Sequence, residues 1–380
     1  ITPDGKNHGL VMFVDWSGSM SRNMKGTIEQ MMTLVMFCKR VNIPFDVYAF
    51  SDSYYRRSGR NEDGRNWNGY LLPKDGIPKI NTLAIQGFSL LNFFSSRMNA
   101  VDLKAAYTNM MGMAESYKSR YAYGYYRGVS FPSVFSLGGT PLDPTLIMAF
   151  PVMRDFLKRN RVDVINSIFL TDGDSSGSGS SYWKPCEEKT EKEWDAESGE
   201  YVDKTYNGCN GLEIEHFNVG KENVIVRDSV SKKSMSLSGY RNRGFLTKNL
   251  VGFIRDTFNI NIVNFFILDK MKRWDMHKWL DEVEQANRKK GETAKSLEWD
   301  ATENAMKDWR KNKYMIAPGV MGFNDLYLVL GGKQLEVEDE ALEISNDASK
   351  AQMTTAFKKF SKGKLENRRL LSRFVSMVAA

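Results

Sequence analysis

The sequence predicts an α/β protein with a doubly wound, mainly parallel sheet and helices on both faces. Uninterrupted apolar runs recur along the chain, and such runs are typical of strands that are buried on both faces of a parallel sheet. Stretches with helical periodicity separate these runs. Strand–helix–strand units joined by short loops imply right-handed crossovers between parallel neighbours.

Each element is predicted from its own pattern. The strands are apolar runs that end in polar or glycine-containing turns, and the third strand is expected at the sheet edge. The helices have apolar residues on one face, and Asp143 and Pro144 suit the first turn of the third helix. In chain order we predict strand 9–15, helix 28–41, strands 44–50 and 88–94, helices 102–117 and 143–158, strand 162–170, helix 249–258, and strands 260–268 and 325–330.

Composition limits the classes of protein that fit. Hydrophobic residues make up 42% of the 380 residues, which is enough for a substantial core. The net charge of +7 is modest for a chain of this length. The sequence contains no run of eighteen apolar residues and does not begin with a signal peptide, so no membrane span is expected. Because it does not begin with Met, an N-terminal region is expected to be missing. The three cysteines do not form a disulfide framework, which favours a cytoplasmic location.

The most informative motif follows the first predicted strand. An apolar run ends in Asp15, Ser17 and Ser19, so one carboxylate and two hydroxyls follow one another at two-residue spacing. Open α/β sheets place their sites at the carboxyl ends of the strands. A set of oxygen ligands favours Mg²⁺ or Mn²⁺ over Zn²⁺.

Two further motifs follow in order. Gly138-Gly-Thr140-Pro-Leu142 precedes a predicted helix, and Thr171-Asp172-Gly173 ends another apolar run. Together the three motifs resemble the metal-ion-dependent adhesion site (MIDAS) of a von Willebrand factor A (VWA) domain. The resemblance implies Asp15, Ser17, Ser19, Thr140 and Asp172 as the ligand set, some of them acting through water, and a sheet order of 3-2-1-4-5-6.

Each motif alone has a simpler explanation. Ser-Gly-Ser after a strand is commonly a turn, a Thr before Pro is commonly a helix cap, and Asp-Gly is a common tight turn. These explanations do not account for all three motifs occurring in the order of a single site. Asp174 is an alternative ligand to Asp172. We prefer Asp172 because it lies directly at the end of the predicted strand.

The resemblance also suggests a domain organisation. Residues 8–332 are predicted to form the VWA domain, with insertions at about 51–79, 175–223 and 271–313, and residues 333–380 a basic helical extension. The second insertion opens with a Ser-Gly run and is expected to be a flexible or loosely folded excursion near the metal face. The third is expected to be a helical pair whose four tryptophans pack onto the domain.

Three function classes are compatible with the motifs. The first is a non-catalytic binding module whose metal accepts a carboxylate from a partner protein. The form Gly-Gly-Thr-Pro-Leu is similar to that of chelatase subunits and proteins associated with MoxR-type AAA+ ATPases, sometimes phage-encoded, which implies a hexameric AAA+ partner. The second is a metal-dependent hydrolase, which the absence of a Walker A motif and of a convincing general base disfavours.

The third class is nucleic-acid binding through the basic C-terminal helix. Residues 350–373 carry many lysines and arginines, and an early loop contains Arg56, Arg57, Arg60 and Arg65. Phe357, Phe360, Leu371 and Phe374 have near-helical spacing, however, so an amphipathic helix that docks on the sheet is the simpler interpretation.

Overall fold

The computed structural model describes sixteen parts of the chain. These are residues 7–53, 70, 79–116, 125–126, 129–130, 132–175, 181–185, 189–195, 197–206, 212–216, 224–237, 244–288, 299–332, 335, 373 and 375. The loop predicted at 51–79 therefore lies mostly outside the described residues.

The described strands and helices alternate along most of the chain. The strands are β1 (His8–Asp15), β2 (Phe45–Ser51), β3 (Ser89–Ser95), β4 (Tyr125–Tyr126), β5 (Val129–Ser130), β6 (Val164–Thr171), β7 (Ser181–Pro185), β8 (Lys189–Asp195), β9 (Glu200–Tyr206), β10 (Leu212–His216), β11 (Val224–Arg227), β12 (Ser234–Leu237), β13 (Asn261–Leu268), β14 (Tyr314–Pro318) and β15 (Asp325–Leu330). The α-helices are α1 (Met24–Arg40), α2 (Ala100–Ser116), α3 (Leu142–Arg159), α4 (Phe245–Phe258), α5 (Arg273–Asn287) and α6 (Trp299–Asn312).

A mixed, mostly parallel sheet forms the centre of the molecule. Its seven strands lie in the order β14-β15-β13-β6-β1-β2-β3. The inner strands β15, β13, β6, β1 and β2 are parallel, and the two edge strands β14 and β3 are antiparallel to their neighbours. The predicted α/β class, the edge position of the third strand and the order 3-2-1-4-5-6 are confirmed, and β14 is an additional edge strand.

Helices cover both faces of this sheet. Along β1, Leu10, Met12 and Val14 point into one core with α1 and α2, whereas Val11 and Phe13 point into a second core with α3 to α6. Every residue of β1 is buried. Burial on both faces explains why β1 is an unbroken apolar run from Leu10 to Val14.

The insertion at 175–223 differs from the expected loosely folded excursion. Strand β7 pairs antiparallel with β10, and the other edge of β7 bonds to the segment 81–84. Ser181 and Trp183 are buried in this small sheet. The prediction relied on the polar composition and the Ser-Gly run, and it missed Trp183, whose burial depends on a segment about one hundred residues earlier in the chain.

The insertion at 271–313 is the expected helical pair, formed by α5 and α6. Trp309 is buried, and Trp279 packs against the same core through Phe266. Trp274 and Trp299 are mostly exposed, so the expectation that all four tryptophans pack onto the domain is wrong for these two. Their rings and the ring of His277 form a three-membered cluster, with centroids 4.6–6.3 Å apart.

The predicted C-terminal extension lies outside the described residues except at Leu335, Arg373 and Val375. Arg373 contacts the carboxylate of Asp325 and lies over the ring of Tyr327. Val375 packs against the core that contains α1. None of the helices in the described part of the chain combines the length and apolar character needed to span a bilayer.

Candidate metal site

Four parallel strands of the central sheet each end in, or are followed by, an aspartate. Asp15 is the last residue of β1, and Asp52, Asp172 and Asp269 directly follow β2, β6 and β13. Because the carboxyl ends of parallel strands lie at the same edge of a sheet, these four carboxylates converge there. This edge is therefore strongly acidic.

Asp15 is the central residue of this edge. Its side chain has no solvent exposure, and neither carboxylate oxygen accepts a hydrogen bond of normal geometry from the described part of the chain. Burial raises the pKa of Asp15 to about 8, and the negative charge of Asp172 adds to the rise. The nearby hydroxyls of Ser17 and Thr140 offset only part of it. A buried carboxylate without a compensating cation or donor is costly, and a bound cation would remove that cost.

Two serine hydroxyls of the loop after β1 extend from beside Asp15 to Asp172. Ser17 Oγ lies 3.0 Å from Ser19 Oγ, and Ser19 Oγ donates to Asp172 Oδ1 at 2.8 Å. Burial raises the pKa of Asp172, and the charge of Asp269 contributes to this increase. Asp172, which we prefer to Asp174, bonds to Ser19 and helps to raise the pKa of Asp15.

Backbone hydrogen bonds hold the loop that carries Thr140 against the loop after β1. The Gly18 N–H donates to the Gly138 carbonyl at 2.8 Å, and the Gly138 N–H donates to the Trp16 carbonyl at 3.2 Å. The Gly139 N–H donates to Asp52 Oδ1 at 2.5 Å. A Cβ at position 138 would lie 2.5 Å from the Ser53 nitrogen, so the close approach requires glycine.

A second buried carboxylate holds the following helix. Asp143 lies in the first turn of α3 and accepts a hydrogen bond of 2.6 Å from Thr247 of α4, and its N–H donates to Ser175 Oγ at 2.9 Å. Burial raises the pKa of Asp143 to about 6. These contacts fix the start of α3, and with it Thr140, relative to the loop after β6.

The structure brings all five predicted site residues together. The set offers two carboxylates and three hydroxyls, all oxygen donors. Among the described residues, no three His, Cys, Asp or Glu side chains are grouped so that they could hold a metal. A metal held by the five predicted residues would therefore have hydroxyl oxygens as most of its protein ligands. The orphaned oxygens of Asp15 and the all-oxygen chemistry fit a hard divalent cation such as Mg²⁺.

Sequence reasoning missed Asp52, Asp143 and Asp269. Asp52 and Asp269 share a signal that was available, since each directly follows an apolar strand. Asp143 was assigned only to the first turn of a helix. Its burial depends on Thr247, which is distant in the sequence, and no local pattern indicates that contact.

The sequence matches no protein-family model and no curated protein. Among solved structures it is similar to the pilus adhesin SpaC from Lactobacillus rhamnosus GG in its open conformation, at 13% identity and a TM-score of 0.33 over 82% of this chain and 30% of that chain. It is also similar to the three N-terminal domains of the type V pili tip protein Mfa5 from Porphyromonas gingivalis, at 13% identity and a TM-score of 0.22 over 45% of this chain and 20% of that chain. The chain spans less than a third of either protein, and likenesses this weak carry no conclusion about fold family or function.

Proposed function

We propose that this chain is a VWA-type, non-catalytic protein-binding module that uses a divalent cation to capture a carboxylate of a partner protein. Asp15, Ser17, Ser19, Thr140 and Asp172 would hold Mg²⁺ or Mn²⁺. The observation that carries the proposal is the buried Asp15 carboxylate, whose oxygens accept no normal hydrogen bond from the described residues and which the negative charge of Asp172 destabilises further.

The donor set supports a protein-binding role for the cation. Two carboxylates balance its double charge, and neutral hydroxyls supply the remaining protein ligands. A carboxylate oxygen is the natural protein donor to complete the shell of Mg²⁺. The partner would thus present an essential aspartate or glutamate, and association would depend on the divalent cation.

We further propose that the partner is a hexameric AAA+ ATPase of the MoxR or chelatase type. The support is the Gly138-Gly-Thr-Pro-Leu142 sequence together with the tight approach of Gly138 to the end of β2. The buried free thiol of Cys38 suits a cytoplasmic setting.

Calorimetry with MgCl₂ tests the metal site. We expect Asp15→Ala to abolish binding while the fold is retained, because the variant removes a charged donor whose carboxylate makes no normal hydrogen bond. Ser17→Ala and Ser19→Ala should weaken binding less, since they remove neutral donors. Asp300→Ala, at an exposed position in the first turn of α6, is the matched control. Unchanged affinity in Asp15→Ala would refute the site assignment.

Pull-down of a purified MoxR-type ATPase tests the partner. Binding should require Mg²⁺ and be reversed by EDTA. Thr140→Ala should weaken partner binding clearly and change the thermal unfolding temperature little, because it removes one uncharged metal donor next to the Asp15 carboxylate. Equal binding in excess EDTA would mean that the contact surface lies elsewhere.

A metal-dependent hydrolase is the alternative enzymatic function. The five-residue set contains no histidine or lysine to act as a general base, and a single cation with two carboxylates activates water less than two-metal sites do. We therefore expect no phosphatase, nuclease or ATPase turnover in Mg²⁺ or Mn²⁺. Turnover that is lost in Asp172→Ala would establish the enzymatic alternative.

Nucleic-acid binding through the basic C-terminal helix remains the other alternative. The contacts of Arg373 with Asp325 and Tyr327 and of Val375 with the core favour docking of this part of the tail. A salt titration of DNA binding distinguishes the two, because phosphate contacts weaken steeply with ionic strength.

A further inference from the structure

A groove lies on the face of the molecule formed by α3 and α4, outside the candidate metal site. Its volume is about 600 Å³, which is in the range of ligand-binding clefts. The floor is apolar and consists mainly of Ile147 and Pro151 of α3 and Leu250 and Phe253 of α4. The two sides are β11 and the segment 81–83.

The outer edge of β11 has no strand partner among the described residues. Asp228 N–H donates to the Lys233 carbonyl at 2.9 Å at the turn that connects β11 to β12. Because hydrogen-bonded and non-hydrogen-bonded pairs alternate along an antiparallel ladder, the backbone groups of Ile225 and Arg227 point away from β12. Among the described residues, no backbone group pairs with this edge.

The opposite side of the groove has a matching edge at Leu83. The Ala84 N–H donates to the Ser181 carbonyl at 2.8 Å, and the Trp183 N–H donates to the Thr82 carbonyl at 3.0 Å. Leu83 lies between these bonds, so its own N–H and carbonyl point away from β7. Within the described parts of the chain, they too have no backbone partner.

The charge at the β11 end of the groove is positive. Arg227, Lys232 and Lys233 lie in or beside the turn, whereas Asp228 is already bonded to Arg154 and Ser231. Burial of Asp228 is outweighed by its bonds to Ser231 and Arg154, which hold its pKa at about 2, so this carboxylate stays charged and paired. Within residues 227–233, three cationic side chains therefore face the single carboxylate of Asp228.

We propose that this groove binds an extended, acidic segment of a partner protein as an added β-strand on β11. In such a strand, alternate side chains would point down to the apolar floor and up to solvent beside the basic turn. Backbone pairing supplies affinity, and alternation of apolar with acidic residues supplies specificity. The occupant is thus a peptide with a repeat of apolar and acidic residues.

The probe is the peptide acetyl-(Glu-Val)₃-amide, and fluorescence anisotropy of a labelled form measures its affinity. Two isomers, N-methylated on every glutamate or on every valine, each block one edge of the strand. We expect at least one isomer to bind about tenfold more weakly, since several backbone hydrogen bonds are lost. The lysine counterpart, acetyl-(Lys-Val)₃-amide, should also bind about tenfold more weakly because of the basic turn.

A pair of variants at one position tests the β11 edge. Ile225→Pro removes an outward N–H that does not pair with β12, and proline is tolerated on edge strands. Ile225→Ala retains the N–H and changes only a side chain that is 70% exposed. Peptide binding should be lost in Ile225→Pro and retained in Ile225→Ala, with the same thermal transition for both.

The assay runs in EDTA and again in Mg²⁺, and equal affinity in both is expected because the groove does not include the metal ligands. The result is therefore independent of the proposed metal function. No binding of the acidic peptide at millimolar concentration, or binding of both N-methylated isomers as tight as that of the unmodified peptide, would overturn the proposal. A wild-type dimer that Ile225→Pro dissociates in sedimentation equilibrium would also overturn it, in favour of a second copy of this chain as the occupant.

Discussion

The two ends of the central sheet each bury an aspartate, but only one of these carboxylates is paired with a cation. Asp46, near the start of β2, is fully buried and bonded to Arg159 at 2.8 Å. Asp15, at the carboxyl end of β1, is equally buried, and the negative charge of Asp172 destabilises its carboxylate further. The comparison shows that burial alone does not identify a candidate ligand, and that Asp15 is distinguished by oxygens that accept no normal hydrogen bond from the described residues.

The largest expected effect is a pH dependence of stability that arises from Asp15. Burial raises the pKa of Asp15 from its ordinary value of 3.8 to about 8, so in EDTA its contribution to stability is present below about pH 4 and is lost as the pH rises to about 8. The loss is on the order of 5–6 kcal/mol, because each pKa unit corresponds to about 1.4 kcal/mol, and the raised pKa values of Asp172 and Asp143 add in the same direction. Saturating Mg²⁺ should restore stability at pH 8.

Urea denaturation at pH 5 and pH 8 measures this effect. Asp15→Asn keeps the shape of the side chain and removes its charge, so the difference between the two pH values should shrink in this variant. An unchanged difference would show that Asp15 does not carry the unfavourable charge.

The second effect concerns the opposite end of the sheet. Asp46→Ala should lower the free energy of unfolding by about 2–3 kcal/mol, because it leaves Arg159 without its buried partner. Arg159 keeps only a bond to the exposed Asp155. Asp155→Ala is the control and should cost less than about 1 kcal/mol. Calorimetry should give an unchanged Mg²⁺ affinity for Asp46→Ala. A loss of affinity would contradict the claim that the Asp46–Arg159 pair and the metal site are independent.

The third effect tests the packing of the Thr140 loop. A Cβ at position 138 would lie 2.5 Å from the Ser53 nitrogen and 2.6 Å from Asp52 Oδ1, so Gly138→Ala displaces the loop. We expect stability to fall by about 1–3 kcal/mol and Mg²⁺ affinity to fall at least tenfold. Gly173→Ala is the matched control next to Asp172, because a Cβ there would meet no atom within 4 Å. Equal effects of both substitutions would argue against a specific role of the tight approach.

The sheet was predictable because its signals are local. The segments that form β1, β6 and β13 are predominantly apolar, and each ends in or is followed by a polar residue. The motifs at Asp15, Thr140 and Asp172 lie at strand ends or before a helix, so correct strands were sufficient to bring the motifs to one edge. Strand β15 was predicted with its bounds as observed.

The elements that were missed depend on distant pairing. Strand β7 is a short segment that ends in Pro185, and it is held by Leu212 to His216 on one edge and by residues 81–84 on the other. Strand β14 follows a helix at the far edge of the sheet and is defined by its partner β15. Neither sequence has a distinctive period, so tertiary contacts rather than local preference determine them.

The smallest expected effect concerns Asp269, the exposed carboxylate after β13. Its charge raises the pKa of Asp172, so it contributes negative potential to the site across solvent-accessible space. Asp269→Asn should therefore weaken Mg²⁺ binding by about two- to fivefold at 10 mM salt, and the difference should disappear at about 0.5 M salt because exposed charges are screened. Asp256→Asn, at an exposed aspartate on α4 paired with Arg255, is the control. A difference that persists at high salt would mean that Asp269 contacts the cation directly, and the ligand set would then include a third carboxylate.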